Sequence, residues 1–257
     1  MSKSIAVFNQ KGGVGKTTTV INLSACLADK EKKVLMIDID PQGNTTSGIG
    51  IDKNNLQYTI YDVLINDVDP KECIISTSQQ NLYILPSSVQ LAGAEIELTT
   101  FNKRELKLKE CIDSINNQFD FIFIDCPPSL GLLSINALSA VESVLIPIQC
   151  EYYALEGVSQ LMNTIKLVKK NLNPDLDIEG VVLSMFDGRT NLSIQVVDEV
   201  KRYFRGKVYT TMIPRNVRLA EAPSYGMSII QYDIKSRGAE AYLELADEFI
   251  EYSEEVV

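Results

Sequence analysis

The chain has 257 residues, 45% of them hydrophobic and 23% charged, which is the composition of an ordinary soluble globular protein with a large buried core. It contains no histidine, so serine or cysteine chemistry run through an imidazole and the commonest zinc ligand are both excluded. The net charge of −10 argues against nucleic acid as a partner of the whole surface, so the distribution of charge matters more than its sum.

In chain order, "SIAVF" (4–8) is the first predicted strand, and it begins too close to the start for a secretory leader. The following "NQKGGVGKTTT" predicts a phosphate-binding loop opening a helix on which Val20, Leu23 and Leu27 share a face. Glycines 12, 13 and 15 let the backbone curl around Val14 so that amides converge on phosphate oxygens at a helix N-terminus. Lys16 is placed to reach the β- and γ-phosphates, Thr17 to ligate Mg²⁺, and Thr18 to continue the cradle. The usual pattern is G-x-x-x-x-G-K-[ST], but its first glycine falls here on Gln10. A second lysine, Lys11, is either a ligand or a surface side chain.

Next, "KVLMIDI" (33–39) delivers Asp38 and Asp40 to the carboxyl edge of a sheet, ahead of the polar loop "PQGNTTSG". "LYILP" (82–86) and "FDFIFID" (119–125) follow as strands, and the second carries Asp125 to the same edge, where open α/β sheets bind ligands. Asp125 fits the role of holding a metal's coordination shell. Asp40, at the start of the loop, fits the orientation of an attacking water and is a further candidate for the metal site. Leu108, Ile112, Ile115 and Phe119 recur at helical spacing between these two strands, as do Leu155, Val158, Met162, Ile165 and Val168 further on.

Strands are also predicted at "SVLIPI" (143–148), "IEGVVLSMF" (178–186), "VYTTMI" (208–213) and "SIIQY" (228–232). Strands apolar on both faces, alternating with helices, predict a mostly parallel twisted sheet of about seven to eight strands flanked by helices, in one domain over 1–257. Val196, Val200 and Phe204 give one more helical face, with Lys201, Arg202 and Arg205 opposite. From Arg189 to Arg218 seven basic residues meet two acidic ones, whereas the segment after Arg237 is strongly acidic. The five cysteines are odd in number and contain no C-x-x-C pair, which predicts buried thiols of a reducing, cytoplasmic compartment.

"KGGVGKTTT", "IDIDPQGNTTSGIG", "IDCPPSLGLLSINAL", "PIQCEYYALEGVSQL" and "IPRNVRLAEAPSYG" together resemble the ParA/Soj family of partition ATPases, P-loop proteins with a deviant Walker A motif of which Gln10 is part. The resemblance implies ATP and Mg²⁺ as ligands and an ATP-dependent homodimer in which Lys11 reaches the phosphates of the other subunit. It also implies adenine near Pro214 and Asn216 and non-specific double-stranded DNA binding through Arg189 and Arg218, with Lys201, Arg202 and Arg205 as weaker candidates. Slow hydrolysis stimulated by a ParB/Spo0J-like partner and nucleoid association follow from the same source. A MinD-like division-site ATPase is the alternative, and the acidic "AYLELADEFIEYSEEVV" is a poor match to the basic amphipathic helix that a membrane surface requires.

Overall fold

A computed structural model describes residues 2–151 and 156–255. Among them run eight strands: β1 (Lys3–Val7), β2 (Val34–Asp38), β3 (Ile75–Ser76), β4 (Leu82–Leu85), β5 (Phe121–Asp125), β6 (Ser143–Gln149), β7 (Asp177–Phe186) and β8 (Val208–Pro214). The helices α1 (Lys16–Asp29), α2 (Asn44–Gly48), α3 (Ile60–Ile65), α4 (Pro70–Cys73), α5 (Leu91–Glu97) and α6 (Lys107–Ile115) belong to the first half. The second half holds α7 (Leu132–Ala140), α8 (Glu156–Asn171), α9 (Asn191–Tyr203), α10 (Val217–Glu221), α11 (Ile229–Asp233) and α12 (Arg237–Glu255).

The strands form one sheet in the order β3-β4-β2-β5-β1-β6-β7-β8, parallel throughout except for the antiparallel β3–β4 pair at one edge. Because successive side chains point to opposite faces, the apolar runs feed two cores at once. Ile5, Val7, Met36, Phe123 and Leu145 pack with α1, α11 and α12 on one face. Ala6, Phe8, Ile37, Ile124 and Ile146 pack with α3 and α5 to α9 on the other. Val20, Leu23 and Leu27 of α1 are fully buried, as are Tyr242, Leu245 and Phe249 of α12, whose apolar stripe is spent on the sheet. No helix among the described residues is long and apolar enough to cross a membrane.

Seven predicted strands are present, their ends within two residues of the expected positions. The eighth is different. Residues 228–232 are not a strand but the start of α11, whose Ser228 and Gln231 form a capping box. The remaining strand of the sheet is the two-residue β3, too short to leave any periodicity in the sequence. The helical stripes at 108–119, 158–168 and 196–204 face the core as expected, while Leu155 lies outside the described residues. All five cysteines are buried and unpaired.

Because all strands but β3 are parallel, the loops that follow them lie at the same edge. β1 stands between β5 and β6: the chain first builds outward on one side through β2 and β4, then on the other through β6, β7 and β8. The crevice at that reversal is where such sheets hold ligands. At this edge two segments come into backbone contact at a pair of glycines. A β-carbon at Gly50 would lie 2.8 Å from the Gly226 carbonyl oxygen, and one at Gly226 only 2.6 Å from the Gly50 Cα, both glycines having positive φ.

Candidate functional site

The loop between β1 and α1 is set by its glycines. Gly13 (φ 74°) and Gly15 (φ 92°) occupy left-handed conformations that side chains disfavour, and Gly15 caps the N-terminus of α1. The loop is anchored at both ends: Asn9 Nδ2 donates to the Pro147 carbonyl at 2.8 Å, and Ser184 Oγ donates to the Val14 carbonyl at 2.7 Å. Gln10, at the position of the missing glycine, donates to Thr164 Oγ1 of α8 at 3.0 Å, so the departure from the usual pattern has a structural use. Gly12 and Gly13 are exposed, with no atom within 4 Å of a would-be β-carbon, so this stretch of the cradle opens outward.

Lys16 is buried and crosses the loop to donate to the Lys11 carbonyl at 3.2 Å. Burial lowers its pKa, opposed by the nearby Asp125, Cys126 and Asp40. The backbone of Lys11 is engaged at both ends, its amide donating to Asn9 Oδ1. Its side chain is half-buried and makes no ion pair among the described residues.

Parallel register brings the carboxylates together. Asp38 and Asp125 are directly paired at the last rung of β2 and β5, and both are fully buried. Asp125 Oδ2 accepts from Thr17 Oγ1 and from Thr45 Oγ1, each at 2.7 Å, while its Oδ1 is buried with no partner. Asp38 Oδ2 accepts from the amide (2.8 Å) and hydroxyl (2.7 Å) of Thr46, and Oδ1 accepts from the Asp40 amide at 3.2 Å. Desolvation pushes both carboxyls above the usual range, and for Asp38 the charge of Asp125 adds to it. Asp40 lies two residues further along, its Oδ1 accepting from the Gln42 amide at 2.9 Å.

Among the described residues no three His, Cys, Asp or Glu side chains are grouped to hold a metal by themselves. An ion here would take hydroxyl and carboxylate oxygens from the protein and complete its shell with phosphate and water, which is how Mg²⁺ is commonly bound. The orphaned Oδ1 of Asp125 beside the Thr17 hydroxyl fits that requirement.

Against the loop lies a cavity of about 340 Å³ between α1, β7, β8 and α10, lined by Gly15, Thr18, Met185, Pro214, Asn216 and Val217 among others. It contains both residues expected near an adenine. Asn216 also caps α10, its Oδ1 accepting from the Arg218 amide at 2.8 Å. Met185, a wall of the same cavity, has φ 52°, a conformation rare outside glycine.

A second crevice of about 430 Å³ adjoins it at Pro214 and Arg215, and Arg189, Arg215 and Arg237 line it together with Asp187. The Arg189 guanidinium makes two hydrogen bonds to the Asp187 carboxylate, at 2.8 and 2.7 Å, and its amide a third at 3.1 Å; together they hold that carboxyl down at about 2. Arg218, half exposed on α10, pairs with Glu221 at 2.9 Å and Asp233 at 3.5 Å. Lys201, Arg202 and Arg205 are exposed on α9 and just beyond it. The sequence pattern gives the basic residues but not the acidic partners already engaged with Arg189 and Arg218. It also leaves out Thr45, Thr46, Ser184 and Met185; the hydroxyl pair could have been suspected from its place in the polar loop after Asp40.

A family model described as an AAA domain matches residues 2–178. The chain is 61% identical over 248 residues to the sporulation initiation inhibitor protein Soj of Bacillus subtilis, covering 96% of this chain and 98% of that one. It is 53% identical to the chromosome partitioning protein ParA of Myxococcus xanthus, over 97% of this chain and 88% of that one. A solved structure from Mycobacterium smegmatis, described as cobyrinic acid a,c-diamide synthase with bound ADP and magnesium, superposes with a TM-score of 0.88 at 37% identity, covering 100% of this chain and 97% of the other.

Proposed function

Because the chain belongs to the ParA/Soj family of chromosome-partitioning proteins, we propose that it is an ATP-switched partition ATPase whose nucleotide state governs its association with a second copy and with DNA. The observation that carries this reading is the Thr17–Asp125 hydrogen bond at the mouth of the phosphate loop, with an unpartnered buried carboxylate oxygen beside it.

In this reading residues 1–257 act as one P-loop domain, supported by a single sheet that has both faces covered. The loop amides from Gln10 to Thr18 and the Lys16 ammonium bind the phosphates of ATP, and the 340 Å³ cavity with Pro214 and Asn216 takes the base. Thr17 and Asp125 would hold Mg²⁺, with Asp40 as a further candidate oxygen ligand. When bound, the ion would supply charge neutralisation to the phosphate groups.

Asp40 accepts a hydrogen bond from the attacking water and orients it. Lys11 presents its ammonium to the triphosphate of the facing subunit, offsetting the repulsion between two nucleotide anions and tying association to the γ-phosphate. The dimer then presents Arg189 and Arg218 twice, with Lys201, Arg202 and Arg205 as auxiliary cations, so that twice as many DNA phosphates are neutralised. A ParB/Spo0J-like protein is the expected stimulator, and nucleoid association the expected location. The division-site alternative gains no support from α12, whose main apolar stripe, Tyr242, Leu245, Ala246 and Phe249, is buried.

The test is retention on non-specific duplex DNA with ATP, ADP or no nucleotide across a salt series. Retention that needs ATP and Mg²⁺ and falls steeply with salt is expected; equal retention in all three nucleotide states would overturn the proposal.

A further inference from the structure

Ser87 follows the end of β4 and is fully buried, yet both of its hydrogen-bond donors leave its own segment for the Asp38–Thr46 loop. Its Oγ donates to the Asp40 carbonyl at 2.8 Å, and its amide donates to Thr46 Oγ1 at 2.9 Å. Thr46 Oγ1 donates onward to Asp38 Oδ2 at 2.7 Å, and Asp38 Oδ1 accepts from the Asp40 amide at 3.2 Å. The circuit thus begins and ends on Asp40, gripping the peptide on each side of its Cα. The local turn bond from the Gly43 amide also reaches the Asp40 carbonyl, at 2.8 Å, but Ser87 is the hold that comes from outside the loop.

We infer that Ser87 is a positioning residue for Asp40, a role that rests on the reading of this site as an ATPase centre. With both flanking peptides fixed, φ and ψ of residue 40 are fixed, and so is the direction in which its carboxylate leaves the backbone. Ser87 reaches Asp40 through the main-chain carbonyl and makes no hydrogen bond to a side chain assigned to phosphate or metal: it acts through the loop. Buried hydrogen bonds of this kind are costly to leave unmade, so the loop has one preferred geometry rather than several. A carboxylate that must orient a water gains from this, because catalysis by positioning is lost with small displacements.

The test compares Ser87→Ala, Thr46→Val and Thr46→Ser with the parent protein by three measurements: ATP turnover, affinity for a fluorescent ADP with Mg²⁺, and hydrogen exchange of the 39–43 segment without nucleotide. Ser87→Ala should lower kcat by roughly tenfold, the effect of one buried hydrogen bond on a barrier. Its nucleotide affinity should stay within about twofold, and exchange in the 39–43 segment should quicken by about the same tenfold factor. Thr46→Val should behave like Ser87→Ala, Thr46→Ser should lose less, and the Ser87→Ala/Thr46→Val pair should be less than additive because both cut one circuit. Parental kcat and exchange in Ser87→Ala, or a loss of nucleotide affinity as large as the loss of kcat, would overturn the assignment. If the parent protein itself hydrolyses no ATP, the ATPase reading fails instead, while the exchange measurement still decides whether Ser87 holds the loop.

Discussion

Asp38 and Asp125 face each other across the last rung of two adjacent strands, both wholly buried, with separate sets of hydroxyl and amide donors. Two carboxylates so placed are unfavourable unless a cation or a proton intervenes. Under the proposed function, a cation held at Asp125 would relieve part of that cost.

Asp125→Asn should therefore raise the melting temperature of the nucleotide-free protein while abolishing magnesium-dependent nucleotide binding. The gain should be about 1 kcal/mol, or roughly 2–4 °C for a chain of this size. Differential scanning calorimetry with and without Mg·ADP checks both halves, and a destabilised empty variant would contradict the reading of the pair.

The same pair sets a pH dependence. Both carboxyls titrate above the ordinary carboxylate range in the folded chain, so the folded state keeps protons that the unfolded state has already released. Their contribution to stability is greatest at low pH and is lost as pH rises through the raised folded values. Urea titrations should show this decline flattened in Asp38→Asn, and Mg·ADP should oppose it by favouring the charged forms.

Lys11→Ala should leave nucleotide binding by the single chain almost unchanged, because the Lys11 side chain makes no ion pair among the described residues of its own subunit. Dimerisation with a non-hydrolysable ATP analogue should weaken by roughly ten- to a hundredfold, the range for removing a charge-assisted hydrogen bond. Light scattering measures this directly, and an undiminished dimer would remove the role in trans.

Arg189→Glu and Arg218→Glu should each weaken DNA retention and reduce the steepness of its salt dependence by about one for each phosphate no longer neutralised. Both arginines are already paired, with Asp187 and with Glu221, so Asp187→Asn should have the opposite effect by freeing Arg189. Fluorescence anisotropy on a labelled duplex across salt concentrations distinguishes these outcomes.

Asn216→Ala should act on two levels. Losing the cap of α10 costs about 1 kcal/mol, and disturbing the cavity wall should lower affinity for adenine nucleotides several-fold, with kcat at saturation little changed. Titration with fluorescent ADP separates the binding effect from the thermal one.

Much of this arrangement was legible in the residues because the fold is built from long, regular signals. Strands such as "FIFID" are apolar up to their final aspartate since helices cover both faces, and the glycines at 13 and 15 mark a backbone that needs positive φ. What escaped were features without local periodicity. β3 has two residues and owes its existence to the register of β4. Residues 228–232 are β-branched enough to suggest a strand, but the Ser228–Gln231 capping box outweighs that propensity. In the Ser87–Thr46–Asp38 circuit, Ser87 and Thr46 stand 41 positions apart in the chain, and only the packing of β4 beside β2 brings them within bonding distance.

The meeting of Gly50 and Gly226 has a mechanical corollary. Where side chains meet, a shift can be absorbed by a change of rotamer; where one peptide backbone rests on another, no such slack exists. The stretch just beyond α2 and the turn following Arg218 are therefore meshed, and a displacement of the first by even a fraction of an ångström must push on the second.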